Sequence, residues 1–107
     1  MRAGLLGRKL GHSYSPAIHR LMADYEYALY EREPEEVEAF IKDGAWDALN
    51  VTIPYKKTVF PLCDSVSEVA ARMGSVNTIV RRADGAIYGD NTDPYGFEHL
   101  LRTNHVD

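Results

Sequence analysis

Short apolar segments with the two-residue period of strands alternate with longer segments that have a helical period. The alternation predicts strands over residues 2–6, 25–31 and roughly 47–53. Ser15 and Pro34 each open an amphipathic segment between these strands, with the cap and first-turn chemistry of a helix. Strands that alternate with helices pair in parallel and are covered on both faces. We therefore expect a three-layer α/β/α fold with a mostly parallel sheet.

The second half of the chain adds a capping box and a hairpin. Ser65 and Glu68 have the spacing of a capping box, which predicts that a helix begins at Ser65. The extended pattern over residues 75–89, interrupted by Asp84-Gly85, predicts an antiparallel hairpin. A final helix is predicted to begin at Asp93, which precedes a proline.

Composition excludes several classes of function. With 107 residues the chain is expected to form one domain, and a net charge of -4 without a basic cluster argues against nucleic acid as the main partner. No apolar run reaches the length of a membrane span and no signal pattern opens the chain, so a cytoplasmic location is expected. The single Cys63 cannot form an internal disulfide, and no residues have the spacing of metal ligands, so no metal is expected.

The third predicted strand carries polar side chains on one face and ends at a lysine. Apolar residues at 49, 51 and 53 alternate with Asn50 and Thr52, and Pro54 ends the strand. If the apolar residues face the core, Asn50 and Thr52 point toward solvent or toward a ligand. Lys56 follows in the first turn of a short helix, where a proton could be exchanged with a ligand.

Two further polar clusters lie at the ends of predicted strands, where ligands bind in open α/β sheets. Ser13 and Ser15 lie where a helix begins, which suits a carboxylate or a phosphate, although capping alone would explain Ser15. Asp93 is a candidate partner for Lys56, although it too could be only a helix cap. Asn77 lies in an otherwise β-branched strand, and a buried amide there needs hydrogen-bond partners.

Four motifs occur in a fixed order along the chain. They are Gly-His-Ser-Tyr-Ser-Pro at 11–16, Asn-Val-Thr-Ile-Pro-Tyr-Lys at 50–56, Gly-Ser-Val-Asn-Thr at 74–78 and Gly-Asp-Asn-Thr-Asp at 89–93. Together they resemble the N-terminal, substrate-binding domain of the shikimate dehydrogenase family. Its members use NADP to reduce 3-dehydroshikimate to shikimate in aromatic amino acid biosynthesis.

The resemblance implies a role for each matching residue. It implies that Ser13 and Ser15 bind the substrate carboxylate, and that Lys56 is the catalytic acid/base, paired with Asp93. The side chains implied to contact the ring hydroxyls are Asn50, Thr52, Lys56, Asn77 and Asp93. Glu68 corresponds to a position that the family places near the cofactor, although its capping-box role would account for it.

The resemblance also implies a missing part. In the family a Rossmann domain that carries NADP follows the helix predicted from Asp93, so residues 1–107 are expected to be the substrate-binding domain with the start of the interdomain helix. We expect this chain alone to bind no NADP tightly and to turn over no substrate. The apolar surface on which a later helix of the family would dock is a candidate surface for a homo-oligomer.

Three alternatives remain at this stage. The domain could come from a quinate or quinate/shikimate dehydrogenase, because one additional ring hydroxyl changes few contacts. It could instead be a ligand-binding module without chemistry. It could also be a structural α/β domain whose polar clusters are all helix caps and turns.

Overall fold

The computed structural model describes residues 2–8, 26–52 and 54–92, which form a six-stranded mixed sheet with helices packed against it. The strands are β1 (Ala3–Gly7), β2 (Tyr27–Glu31), β3 (Ala48–Val51), β4 (Ser65–Val66), β5 (Thr78–Arg81) and β6 (Ile87–Asp90). The helices are α1 (Pro34–Asp43), α2 (Lys56–Val59) and α3 (Glu68–Met73), and a 3₁₀ turn at Phe60–Leu62 continues α2. The helices predicted from Ser15 and from Asp93 lie outside the described residues.

The strand order is β2-β1-β3-β5-β6-β4, and most neighbours are parallel. Strand β1 pairs in parallel with β2 and β3, and β4 pairs in parallel with β6. Strand β5 is antiparallel to both β3 and β6, so the β5-β6 hairpin joins the parallel β1-β3 region to β4. The prediction of an α/β fold with a mostly parallel sheet and an antiparallel hairpin is confirmed.

One face of the sheet, which we call the core face, packs against the described helices. Leu6, Leu49 and Ile79 project from this face and are fully buried with Val37 and Ile41 of α1. Burial of a leucine or isoleucine side chain contributes roughly 2 kcal/mol, so this cluster is a main source of stability. The predicted alternation of the third strand is confirmed over its described part, since its buried leucine lies on the core face and the following Asn50 does not.

Helix α1 has clear signals at both ends. Glu33 and Glu36 form a reciprocal capping box, and the Gly44 amide donates to the Phe40 carbonyl where the helix ends. Arg81 of β5 satisfies further carbonyls at this end, donating to Ile41 O at 2.6 Å and to Gly44 O at 2.8 Å. These contacts tie the end of α1 to the sheet.

The predicted capping box at Ser65 is wrong. Ser65 begins β4, and Val66 pairs with Gly89 of β6, so the chain is still extended at this point. The cap is Ser67, whose Oγ accepts a hydrogen bond of 3.1 Å from the amide of Ala70. Glu68 is therefore the first residue of α3, where it pairs with Arg72 one turn later and caps nothing. Among the apolar residues of this helix, Ala70 is buried, whereas Val69 and Met73 are 47% and 57% exposed.

The predicted hairpin turn is confirmed. Gly85 has a φ of 90°, a conformation that favours glycine, and the Asp84 carboxylate accepts a hydrogen bond of 2.9 Å from the amide of Ala86. Arg82 and Ala86 close the turn through a backbone hydrogen bond of 2.8 Å.

Candidate functional site

One edge of the sheet collects the ends of several strands. The amide of Thr52, just after β3, donates to Leu6 O of β1 at 3.0 Å, and the amide of Val51 donates to Asn77 O at 2.7 Å. The amide of Asn77 in turn donates to Asp90 O, at the end of β6, at 3.0 Å. The segments that carry Thr52, Asn77 and the residues after Asp90 are therefore neighbours at this edge.

Lys56 lies at the same edge. The amide of Tyr55 donates to Thr52 O at 2.9 Å, which turns the chain from β3 into α2, and the Lys56 carbonyl accepts a hydrogen bond of 3.0 Å from the amide of Val76. Lys56 is half-buried, whereas its neighbour Lys57 is exposed. In the described part of the chain no carboxylate forms an ion pair with Lys56. The backbone of Lys56 is thus held at this edge.

Tyr55 anchors the turn that carries Lys56. Its side chain is 2% exposed, and its hydroxyl donates to the Arg32 carbonyl at 2.6 Å. Burial, and to a smaller extent the Glu33 carboxylate, raise the pKa of the Tyr55 phenol, so it stays a neutral donor. Sequence reasoning did not single out Tyr55, because its partner is 23 residues away.

Asn77 is half-buried, and both the oxygen and the nitrogen of its side-chain amide form hydrogen bonds within the protein. Its Oδ1 accepts hydrogen bonds from the Thr92 amide at 2.9 Å and from the Thr78 hydroxyl at 3.1 Å. Its Nδ2 donates to the Thr92 carbonyl at 2.7 Å. Asn77 therefore pairs with both backbone groups of Thr92 and clamps the segment that leads to Asp93.

A second pair of contacts joins the same two segments. Asn91 Nδ2 donates to Ser75 O and to Ser75 Oγ, both at 3.2 Å. The Asp90 carboxylate accepts hydrogen bonds from Ser67 Oγ at 2.6 Å and from the Asn91 amide at 2.7 Å. The motifs at 74–78 and 89–93 are thus one hydrogen-bonded unit over their described residues.

Gly89, in the second of these motifs, is required by close packing. A Cβ at this position would lie 2.7 Å from Cys63 Sγ and 2.7 Å from a methyl carbon of Val76. Burial, with a smaller effect of the Asp64 carboxylate, raises the pKa of Cys63 to about 11. The thiol is therefore a neutral packing group, and Gly89 makes room for it.

Asn50 has a partner that sequence reasoning missed. The hydroxyl of Tyr27, at the start of β2, donates to Asn50 Oδ1 at 2.7 Å, and burial raises the pKa of this phenol well above its usual value. The strand register reveals the pairing, because Tyr27 lies opposite Ala3 and Asn50 lies opposite Leu5. In the sequence Tyr27 is only one of several strand aromatics, with no local mark of its role.

Of the remaining predicted residues, the structure describes only Glu68. Ser13, Ser15 and Asp93 lie outside the described residues, so their predicted roles stay predictions. Glu68, the predicted cofactor contact, is exposed and forms an ion pair with Arg72 on the surface of α3. The predicted contact of Glu68 with the cofactor therefore stays a prediction.

Two classes of feature are absent from the described ranges. Within residues 2–8, 26–52 and 54–92, no three His, Cys, Asp or Glu side chains are grouped so that they could hold a metal ion. Among the same residues no helix has the length and apolar character needed to cross a membrane.

The arrangement suits a small polar ligand. Asn50, Thr52 and Asn77 supply hydrogen-bonding groups, all half-buried, and Lys56 supplies an amine. Amides and a hydroxyl bind ring hydroxyl groups, and an amine within reach of one of these oxygens can exchange a proton with it. The described residues at this edge are therefore of the types that bind hydroxyl groups and exchange protons.

Known proteins are similar to nearly the whole chain. A shikimate dehydrogenase (NADP(+)) of Clostridium beijerinckii is 40% identical over 111 aligned positions, covering 96% of this chain and 41% of that protein. The corresponding protein of Methanopyrus kandleri is 43% identical over 108 positions, covering 92% and 37%. The chain thus spans about 40% of the length of the curated relatives that it matches.

Solved structures show the same likeness. Shikimate 5-dehydrogenase from Thermus thermophilus in complex with shikimate superposes with a TM-score of 0.74 at 32% identity, covering 96% of this chain and 42% of that one. A chorismate mutase/shikimate 5-dehydrogenase fusion protein from Clostridium acetobutylicum gives a TM-score of 0.72 at 38% identity, covering 99% and 42%. The model of the shikimate dehydrogenase substrate binding domain matches residues 5–79, and the chain belongs to this family.

Proposed function

We propose that this domain binds shikimate and 3-dehydroshikimate and supplies the acid/base group of an NADP-dependent shikimate dehydrogenase. The observation that carries the proposal is the position of Lys56, half-buried at the sheet edge that also holds Thr52 and Asn77. Relatives that share this domain are shikimate dehydrogenases that use NADP(+), and a structure of the Thermus thermophilus enzyme contains NADP(H) and shikimate.

The ligand chemistry matches the side chains at the edge. Shikimate is a ring acid with three hydroxyl groups, and Asn50, Thr52 and Asn77 are proposed to bind these hydroxyls. Ser13 and Ser15 are proposed to bind the carboxylate, because hydroxyls at the start of a helix suit an anion. With the carboxylate bound at Ser13 and Ser15 at one end of the ring, the hydroxyl at the other end would face Lys56.

Lys56 is proposed to move the proton of the reaction. In oxidation the amine of Lys56 takes the proton of the substrate hydroxyl as the hydride leaves the same carbon, and the carbonyl forms. In reduction the ammonium of Lys56 returns that proton to the carbonyl oxygen. Asp93 is proposed to orient the lysine. NADP, when bound, supplies the hydride exchange, and Glu68 is the proposed contact of this domain with it.

Titration with shikimate tests the binding half of this proposal. Amide signals of Thr52 and Asn77 in a ¹⁵N-labelled chain should shift in a saturable way, whereas Gly85 in the hairpin turn should not shift. Shikimate is proposed as the preferred acid, so a parallel titration with quinate should give weaker binding. Unchanged signals at the sheet edge at saturating shikimate would refute the proposed function, and tighter binding of quinate would change the substrate.

The cellular setting belongs to the same proposal. A cytoplasmic location fits a biosynthetic dehydrogenase that draws on a diffusible nicotinamide cofactor. Self-association of the domain is proposed from two large apolar side chains of α3 that are exposed, Val69 and Met73. Sedimentation of the chain over a range of concentrations tests this, because a constant monomer mass would contradict it.

A further inference from the structure

The Tyr27–Asn50 hydrogen bond spans the sheet on the side opposite the core face. Tyr27 is in register with Ala3, and Asn50 is in register with Leu5, so all four side chains project from the same side. Strands β2 and β3 lie on either side of β1, about 10 Å apart, and the side chains of Tyr27 and Asn50 together span this distance. The small side chain of Ala3 leaves room for this, and the hydroxyl arrives 2.7 Å from Asn50 Oδ1.

This contact decides which part of the Asn50 amide is left for a ligand. An asparagine offers one carbonyl oxygen and two N–H groups, and Tyr27 already donates to the oxygen. Burial raises the pKa of Tyr27, so its hydroxyl keeps the donating proton at any ordinary pH. Among the described residues no acceptor pairs with Asn50 Nδ2. The amide therefore presents N–H groups.

Asn77 presents the same polarity for a separate reason. Its oxygen accepts from Thr92 and Thr78, and one of its N–H groups donates to the Thr92 carbonyl. The group left over is again an N–H. Each of these two amides is thus fixed with its oxygen toward protein donors and with an N–H group left for a ligand.

We propose that Tyr27 is a positioning residue that makes the Asn50 position donor-only, so that the site accepts an oxygen there and excludes an ammonium group. The inference rests on the proposed function, because it assumes that Asn50 faces the ring of the substrate. An oxygen of a hydroxyl, carbonyl or ether can accept from Asn50 Nδ2. A protonated amine has no lone pair to accept this hydrogen bond. Its N–H groups would face those of Asn50 with no acceptor between them.

The probes are shikimate and three analogues, each with one ring hydroxyl replaced by an ammonium group. The dissociation constant of each is measured by calorimetry on the 107-residue chain. For the analogue whose ammonium meets Asn50, the chain should bind at least about 100-fold more weakly than it binds shikimate. In Tyr27→Phe the Asn50 amide is free to turn its oxygen to the ligand. The ratio of the dissociation constant of this analogue to that of shikimate should therefore fall about tenfold.

Two further variants keep the test decisive. Tyr30→Phe removes a hydroxyl from the same strand, on a ring that packs 4.9 Å from Phe40, and should leave the ratio unchanged. Asn50→Asp supplies an anionic acceptor and should favour the ammonium analogue over shikimate. It also tests the inference if Tyr27→Phe does not fold, which circular dichroism will show.

The outcomes separate the inference from the proposed function. If the unmodified chain does not bind shikimate, the proposed function fails and the inference fails with it. If the chain binds shikimate but Tyr27→Phe has the same ratio as the unmodified chain, only the inference is overturned. A loss of affinity for all four ligands by an equal factor would also overturn it, because that result indicates a purely structural role.

Discussion

The clamp between Asn77 and Thr92 predicts a large loss of stability when the amide is removed. Asn77→Ala deletes three hydrogen bonds, of 2.7, 2.9 and 3.1 Å, and leaves both backbone groups of Thr92 without their protein partner. At about 1 kcal/mol for each bond, the free energy of unfolding should fall by about 3 kcal/mol. For a domain of this size the melting temperature should fall by roughly 12 °C or more.

Urea unfolding followed by circular dichroism measures this difference. Thr92→Ala is the matched control, because Asn77 contacts only the backbone of Thr92, and its unfolding free energy should change by less than about 0.5 kcal/mol. Asn77→Asp keeps the acceptor but loses the Nδ2 donor, so its stability should lie between that of Asn77→Ala and that of the unmodified chain. Equal stability of Asn77→Ala and Thr92→Ala would refute the reasoning.

Two other predictions concern the region around α3 and α2. Because burial raises the pKa of Cys63 from 9.0 to about 11, iodoacetamide at pH 8 should alkylate the folded chain about 100-fold more slowly than the urea-unfolded chain. The rate of the folded chain should rise about tenfold per pH unit up to about pH 11, and similar rates in both states would contradict this. Ser67→Ala removes the cap of α3 and a partner of Asp90, and should lower the unfolding free energy by about 1–2 kcal/mol. Ser65→Ala, which removes no cap, should change stability by less than about 0.5 kcal/mol. A larger loss in Ser65→Ala than in Ser67→Ala would instead support the capping box predicted at Ser65.

Local patterns predicted the elements well, because local chemistry sets them. The period of two in β3 placed Leu49 and Asn50 on opposite sides of the sheet, and the Asp84-Gly85 pair predicted the hairpin turn. Each of these signals lies within a few residues of the feature that it determines.

Contacts between distant segments could not be predicted in the same way. Ser65 has the spacing of a cap, but the pairing of Val66 with Gly89 keeps the chain extended and moves the cap to Ser67. The bond from Tyr27 to Asn50 depends on the register of three strands, which no local pattern encodes. Tertiary pairing therefore overrode one local signal and supplied one partner for which there was no signal.

For the candidate site, the sequence singled out residue types but could not give the partner of each side chain. The segments of Lys56 and Asn77 lie close together, and the clamp on Thr92 explains why an amide stands at position 77. The clamp also gives Asn77 a structural role beside its proposed contact with the ligand. A loss of binding in an Asn77 variant therefore has to be corrected for its loss of stability.

The most direct test of the proposed function is a kinetic comparison of two neighbouring lysines. The chain is joined to the C-terminal part of the Thermus thermophilus relative, and NADP-dependent oxidation of shikimate is measured for the unmodified protein, Lys56→Ala and Lys57→Ala. Lys56 is half-buried at the site and Lys57 is exposed, so the pair differs in position and not in charge. We expect kcat to fall by about 10²–10⁴ in Lys56→Ala and to stay unchanged in Lys57→Ala. Retained activity in Lys56→Ala, or an equal loss in both variants, would contradict the assigned role of Lys56.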